Sequence, residues 1–244
     1  MTAVAALTCE AVTRSFGGLV ANNAISLAVR QGEILGLIGP NGAGKSTLFN
    51  LIAGAMRVTS GRIMLGARDI TALPAAARCH AGIARTFQVP RSFDSMSVID
   101  NVVVGALVRH RRANTARRKA LEILDHVGLS HGLSRTAGEL TPPEKRRLEI
   151  ARALATEPKL LLLDEVLTGL TPAEARAGVD LVRRIRAGGV TIVMVEHVME
   201  VVMPLVDRAI VLHLGEVLAE GSPAEIVRNP AVIAAYLGDR QRAA

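Results

Sequence analysis

Gly39-Pro40-Asn41-Gly42-Ala43-Gly44-Lys45-Ser46-Thr47 matches G-x-x-x-x-G-K-[ST], a loop that surrounds phosphate groups. Its glycines let the main chain turn tightly and bring N–H groups to oxygens that a Cβ would keep away. Lys45 supplies a point charge for β- and γ-phosphates, and the Ser46 hydroxyl is placed to sit on Mg²⁺. Further along, Leu160-Leu161-Leu162-Leu163 runs into Asp164-Glu165, and Val190–Val195 runs into Glu196-His197. In a nucleotide-binding α/β sheet the carboxyl ends of strands face the ligand. Asp164 would then hold Mg²⁺ or its waters, and Glu165 would orient or deprotonate an attacking water; the bland alternative for the pair is a helix N-cap. His197 suggests a γ-phosphate sensor, against the ordinary structural histidine. Phe16 is an exposed ring for a purine or a plug between strands. Gln88, read as the last residue of a strand Ile83–Gln88 closed by Pro90, is a ligand or a surface residue.

Elements of the right kind surround these residues. Ile34–Ile38 reads as a buried strand and Leu48–Ala53 as a helix, the strand–loop–helix order that the phosphate loop requires. Weak alternation predicts strands over Leu7–Arg14 and Ala24–Arg30, with a turn at Phe16-Gly17-Gly18. Short elements follow, a strand at Arg62–Leu65 and a helix near Pro74–Ala81. From Ser97 to about Arg135 the pattern turns helical, with Val98, Val102, Val103 and Leu107 on one helix and Leu121, Leu124, Val127 and Leu129 on a second. Thr141 and Glu144 form a capping box, with Pro142 at the first helical position, for a helix ending before Pro158. Ala209–Leu214 and Glu216–Glu220 read as a terminal hairpin, followed by helices to Leu237-Gly238. The predicted fold is α/β, with a nucleotide-binding core over about 1–90 and 138–244, a helical insertion over 91–137 and a tail at 239–244.

The chain has 244 residues, enough for one sizeable α/β domain. Half of its residues are hydrophobic and the mean hydropathy is +0.33, yet no apolar run approaches the ~18–20 residues of a membrane span. Met1–Leu7 is too short and lacks the basic start of a signal peptide, so the expected compartment is the cytosol. Cys9 and Cys79 have no metal-ligand spacing and fit reduced thiols. The net charge is +7, concentrated in Arg109-His110-Arg111-Arg112 and Arg117-Arg118-Lys119. Nucleic acid, an anionic membrane face and a solvated helix face all fit such a run. With aromatic residues at 2%, base-stacking platforms are nearly absent, and no nucleic-acid partner is expected.

Taken in order, the aromatic, the phosphate loop, Gln88, the Leu140–Leu154 block, the Leu-rich strand with Asp164-Glu165, and His197 resemble the ATP-binding cassette (ABC) ATPases. The resemblance spans nearly the whole chain. It implies a P-loop NTPase core with an N-terminal antiparallel β subdomain, MgATP as ligand, Phe16 as the adenine-stacking aromatic, Gln88 as a metal- and water-contacting glutamine and His197 as a switch histidine. Ser15-Phe16-Gly17-Gly18-Leu19, Ala84-Arg85-Thr86-Phe87-Gln88 and Ala235-Tyr236-Leu237-Gly238 resemble the ATPases of branched-chain amino acid importers. The arginine-rich helix and Tyr-Leu-Gly ending are shared with lipopolysaccharide-export ATPases, which stay open as an alternative; a soluble, non-transport ATPase ranks below both. The importer resemblance implies two membrane permeases, an external solute-binding protein and a place on the cytoplasmic face of the inner membrane.

Two positions depart from the family. Leu140-Thr141-Pro142-Pro143-Glu144 stands where the family has Leu-Ser-Gly-Gly-Gln, a signature that caps the γ-phosphate of the facing subunit. Thr141 keeps the hydroxyl, while two prolines remove N–H donors and Glu144 adds negative charge. Thr171 stands where the family usually has Asp or Asn. An intact Gly39–Thr47 beside an altered signature predicts pairing with a second ATPase, a heterodimer in preference to a homodimer.

Overall fold

The structure, a computed structural model, describes residues 5–196 and 199–242. β1 (Ala5–Phe16) and β2 (Leu19–Arg30) form an antiparallel hairpin over Gly17-Gly18. Both are longer than their alternation suggests. Ala11 and Ala24 adopt positive φ, 48° and 47°, and the register shifts around Val12, so bulges break the period-two pattern inside continuous strands. β3 (Ile34–Ile38) follows, then α1 (Lys45–Ala53), β4 (Ser60–Leu65), β5 (Arg68–Asp69), α2 (Ala75–Ala81) and β6 (Ile83–Arg85).

The helical insertion holds α3 (Val98–Ala106) and α4 (Ala113–His126). Val98, Val102 and Ala106 form the buried stripe of α3, and Ala116, Ala120 and Leu124 that of α4. Small residues on α4 allow close approach, and Leu121, expected inside, is 40% exposed. Val127 and Leu129 are buried but lie beyond the helix. The basic run is not one solvated helix face. Arg109 sits in the connection between α3 and α4 and donates to the carbonyls of Thr156 and His80, each at 3.0 Å. His110 meets Glu157 at 2.8 Å, Arg117 pairs with Asp100, and Lys119 with Glu122.

α5 (Pro142–Ala155), β7 (Leu160–Asp164), α6 (Pro172–Ala187), β8 (Thr191–Val195), α7 (Met199–Val202), β9 (Arg208–His213), β10 (Glu216–Gly221), α8 (Pro223–Arg228) and α9 (Pro230–Arg242) complete the chain. The last helix runs four residues past the expected stop at Gly238. One sheet has the order β2-β1-β4-β5 and is antiparallel; the other, β10-β9-β3-β8-β7-β6, is parallel except for β10. β3, β7 and β8 are buried throughout, as strands covered on both faces must be. The antiparallel sheet and α1 pack on one face through Val12, Ile25, Leu37 and Phe49. The helices α3 to α6 and α8 to α9 pack on the other.

Candidate nucleotide site

The phosphate loop leaves the carboxyl end of β3 and wraps the N-terminus of α1. Its glycines serve two different purposes. At Gly39, φ 147°, a Cβ would stand 2.1 Å from the Leu212 carbonyl oxygen, and at Gly44, φ 97°, 2.5 Å from that of Ala21. These two are glycines because the loop is wedged between β9 and β2, where Asn22 Nδ2 also donates to the Gly44 carbonyl at 3.2 Å. Gly42, φ 76°, has open space around it and is the position where close approach of an anion accounts for the residue type. The Leu214-Gly215 turn supports the loop from below, its Gly215 N–H donating to the Ala43 carbonyl at 3.2 Å. Lys45 is buried and its Nζ donates to the carbonyls of Gly39 and Pro40, at 2.6 and 2.7 Å. α1 carries no acidic residue in its first turn and no side-chain cap, so the positive end of its dipole is not offset from within the helix.

A cleft of about 520 Å³ opens on this loop. Asn41 to Thr47, Phe16, Leu19, Val20, Gln88, Glu165 and Leu214 line it, while Gly39 and Pro40 lie at its base behind Lys45. Phe16 stands at the end of β1, 41% exposed, with the Arg14 guanidinium 4.4 Å from its ring centroid. It is not a plug between strands. Leu19, Val20 and Leu214 are exposed apolar residues at the same mouth. The sequence alone assigns them no ligand role, because apolar residues opening a strand, as Leu19 and Val20 open β2, or following one, as Leu214 follows β9, are common.

Gln88 is not at a strand end. β6 stops at Arg85, opposite Leu162, two residues before β7 itself ends at Asp164. Thr86 makes the last ladder bond, to the Leu162 carbonyl at 2.9 Å, and its Oγ1 then accepts the Asp164 N–H at 3.0 Å. The chain swings away as a loop, and Gln88 Nε2 donates to Glu165 Oε2 at 2.9 Å. Glu165, one residue beyond β7, has φ 49° and donates its N–H to the Val195 carbonyl at 2.9 Å. A glutamate held in the left-handed region reverses the side-chain direction that a continuing strand would give.

Asp164 is 7% exposed and lies behind the cleft lining. Arg85 Nη2 stands 3.4 Å from its Oδ2, and Arg85 Nη1 donates to Asn50 Oδ1 at 2.7 Å. Burial pushes the Asp164 pKa up, Arg85 opposes that, Glu165 adds to it, and Lys45 holds it down. Arg85, given no role of its own in the sequence, is thus with Lys45 a cation that makes an ionised Asp164 tolerable. Glu196 is a structural anchor for the segment after Glu165: its carboxylate accepts the Leu167 N–H at 2.7 Å and the Thr168 hydroxyl at 3.0 Å. His197 lies outside the described residues.

Thr141 does not line the cleft. It caps α5, and Glu144 reaches back to accept its N–H and hydroxyl, each at 2.8 Å. Those bonds hold the Glu144 pKa below the ordinary range. Thr171 does the same for α6 with Glu174, so the residue that departs from the family has a local purpose as an N-cap.

The cleft therefore joins a glycine-rich loop, an exposed ring and an amide-held carboxylate, with a second, buried carboxylate behind its lining. The ABC transporter family model matches residues 22–168. The chain belongs to the ABC transporter family. It is an ATP-binding, ATP-hydrolysing cassette of that family. A model described as the branched-chain amino acid ATP-binding cassette transporter matches residues 216–241, which hold β10, α8 and all but the last residue of α9. The high-affinity branched-chain amino acid transport ATP-binding protein LivG of Salmonella typhimurium is 41% identical, covering 92% of this chain and 94% of its own. BraF of Pseudomonas aeruginosa, with the same description, is 38% identical over 96% and 98%. Among solved structures, the ADP conformation of an ATP-binding cassette of an ABC transporter superposes with a TM-score of 0.87 at 32% identity, covering 96% of this chain and 99% of that one. Among the described residues no helix is long and apolar enough to cross a membrane.

Proposed function

We propose that this cassette powers import of branched-chain or other hydrophobic amino acids. The observation that carries this reading is the match of residues 216–241 to the branched-chain cassette model; the similarity to LivG and BraF agrees with it. Phe16 stacks on the adenine, Gly39 to Thr47 hold the phosphates, and Lys45 turns its charge to the β- and γ-phosphates. Glu165 accepts a proton from water as the water oxygen attacks the γ-phosphorus, and the bond to the bridging oxygen breaks to leave ADP and phosphate. Gln88 fixes the rotation of the Glu165 carboxylate through the 2.9 Å bond. His197 senses the γ-phosphate. Ser46, Gln88 and Asp164 offer a hydroxyl, an amide oxygen and a carboxylate, a hard-oxygen set of the kind that holds Mg²⁺ with few protein ligands. Mg²⁺ would neutralise developing charge on the phosphates.

Thr141 lies away from the cleft of its own chain, which supports a signature that acts on ATP held by a second, facing ATPase. A heterodimer is the preferred pairing. A groove of about 560 Å³ between α2, α3 and α5, lined by Ala76, Phe87, Phe93, Val104 and Val108 among others, is the seat we assign to a permease helix. The complex then sits on the cytoplasmic face of the membrane, with two permeases and an external solute-binding protein.

The test is affinity purification of this chain from detergent-solubilised membranes. Recovery with two multi-spanning permeases and a second ATPase is the expected result. Recovery from the soluble fraction alone would remove the transport reading and leave the ATPase chemistry standing.

A further inference from the structure

Residues 87–91 lead from β6 toward the helical insertion and carry Gln88. Besides the Gln88–Glu165 bond and the Arg85 guanidinium over the Phe87 ring, α5 holds them to the rest of the molecule. Glu149 is 6% exposed, and its Oε1 accepts the Arg91 N–H at 3.2 Å. The Phe87 main-chain N–H faces the same carboxylate and, with that of Arg91, holds its pKa down. Arg152, one turn on and therefore on the same face of α5, donates to the Arg91 carbonyl and lays its guanidinium 4.4 Å from the Phe93 ring centroid. Both polar groups of the residue 91 main chain are thus held by one helix. Burial pushes the Glu149 pKa up, while these N–H groups and the charges of Arg152 and Arg85 hold it down. A carboxylate in an apolar groove is costly unless its bonds are needed, and here the bond to the Arg91 N–H fastens the far end of the segment that carries Gln88.

We infer that Glu149 is a positioning residue for Gln88: it ties α5, the helix capped by Thr141, to the loop whose amide orients the Glu165 carboxylate. The inference rests on the catalytic roles proposed for Gln88 and Glu165. Glu149 also lines the groove assigned to a permease helix, so a helix seated there presses directly on the clamp.

The test uses the purified full chain and two readouts. Glu149→Leu removes the acceptor at similar volume, and Glu149→Asp, which keeps the charge but shortens the reach, replaces it where Leu prevents folding. Amide hydrogen exchange at Phe87 and Arg91 is expected to quicken about tenfold or more, with protection of the β7 and β8 amides unchanged. The kcat is expected to fall to the level of Gln88→Ala, with KM for ATP unchanged within about twofold, and the double variant to be no slower than Gln88→Ala alone. Glu149→Gln, which keeps an acceptor oxygen at the same reach, is expected to recover most of the rate. Unaltered exchange at both amides, or losses that multiply in the double variant, would overturn the inference. Full kcat in Gln88→Ala would instead overturn the role proposed for Gln88, and the exchange rates would still decide the clamp.

Discussion

Glu165 occupies a left-handed backbone conformation that costs a non-glycine residue on the order of 1 kcal/mol or more, and it does so at the one point where β7 meets the cleft. Such strain persists where the surroundings impose it, here the Val195 carbonyl on its N–H and Gln88 on its carboxylate. If the carboxylate is the base, Glu165→Gln keeps the fold and the Gln88 contact but removes the proton acceptor. Turnover should fall about 10²-fold or more, while binding of a fluorescent ATP analogue is retained and a closed ATP-bound dimer accumulates on size exclusion; undiminished turnover would remove Glu165 from the mechanism. Lys45→Ala should abolish turnover and weaken that binding as well, since Lys45 belongs to the loop itself. Asp164 gives a pH signature. Its pKa is raised in the fold, chiefly by burial, so ionised Asp164 costs stability above that pKa, and protonation relieves the cost as pH falls toward the unfolded value. A cation needs the ionised form. The Mg²⁺ concentration for half-maximal turnover should therefore rise on acidification, starting above the pH at which an ordinary carboxylate protonates, and Asp164→Asn should lose that dependence along with most of its activity.

Helix starts show how far local chemistry reaches in this chain. Thr136–Glu139, Thr141–Glu144, Thr171–Glu174 and Ser222–Glu225 are all capping boxes, and each glutamate is held below its usual pKa by the N–H and hydroxyl of its cap residue. A depressed folded pKa contributes stability that is fully present above the ordinary glutamate range and is lost as pH falls through the folded value. Thr171→Ala removes the N-cap itself, at a cost of about 1 kcal/mol, read as a lower Tm at pH 7, and the gap from the unaltered chain should narrow in acid as Glu174 protonates. Thr171→Asn, which also caps, should leave Tm nearly unchanged. The Thr141 box was legible because three markers coincide within four residues: a hydroxyl, a proline and a glutamate. The phosphate loop with its flanking strand and helix, and the Asp164-Glu165 strand end, were legible for a similar reason. What escaped depended on partners distant in the chain. β1 and β2 extend through bulges at Ala11 and Ala24 that only the paired strand reveals. Gln88 falls outside β6 because the Thr86 side chain, not a further ladder bond, takes the Asp164 N–H, a contact with a residue 78 positions away. Arg109, read as part of a charged run, is held by carbonyls 29 and 47 residues away.

At the scale of the whole molecule the question is what one chain lacks. Its cleft joins the Asn41–Thr47 side of the loop to Phe16, Gln88 and Glu165, whereas Thr141 opens α5 outside that lining. The hydroxyl at Thr141 already bonds to its own Glu144, Arg135 meets the same carboxylate at 3.2 Å, and Pro142 and Pro143 offer no N–H. To reach a γ-phosphate across a dimer, this helix start must present a hydroxyl turned toward its own glutamate, beside a negative charge and without the donors that glycines would supply. Each missing charge-assisted bond costs about 1.5–3 kcal/mol where it would otherwise form, roughly ten- to a hundredfold in rate per bond. In the proposed pairing, where the signature acts on the opposite site, the deficit falls on the partner's ATP. A homodimer would carry it twice and a heterodimer once, leaving this chain's own site closed by an intact signature on the other subunit. Steady-state ATPase measured on the pure chain and on the chain mixed with its co-purifying ATPase should therefore differ by about tenfold or more, in favour of the mixture. Pro142→Gly/Pro143→Gly should raise the rate of the pure chain toward that of the pair and change the pair less. Equal rates for pure chain and mixture, with no gain from the glycine variant, would make the two prolines a helix-start feature without consequence for turnover and would favour the homodimer.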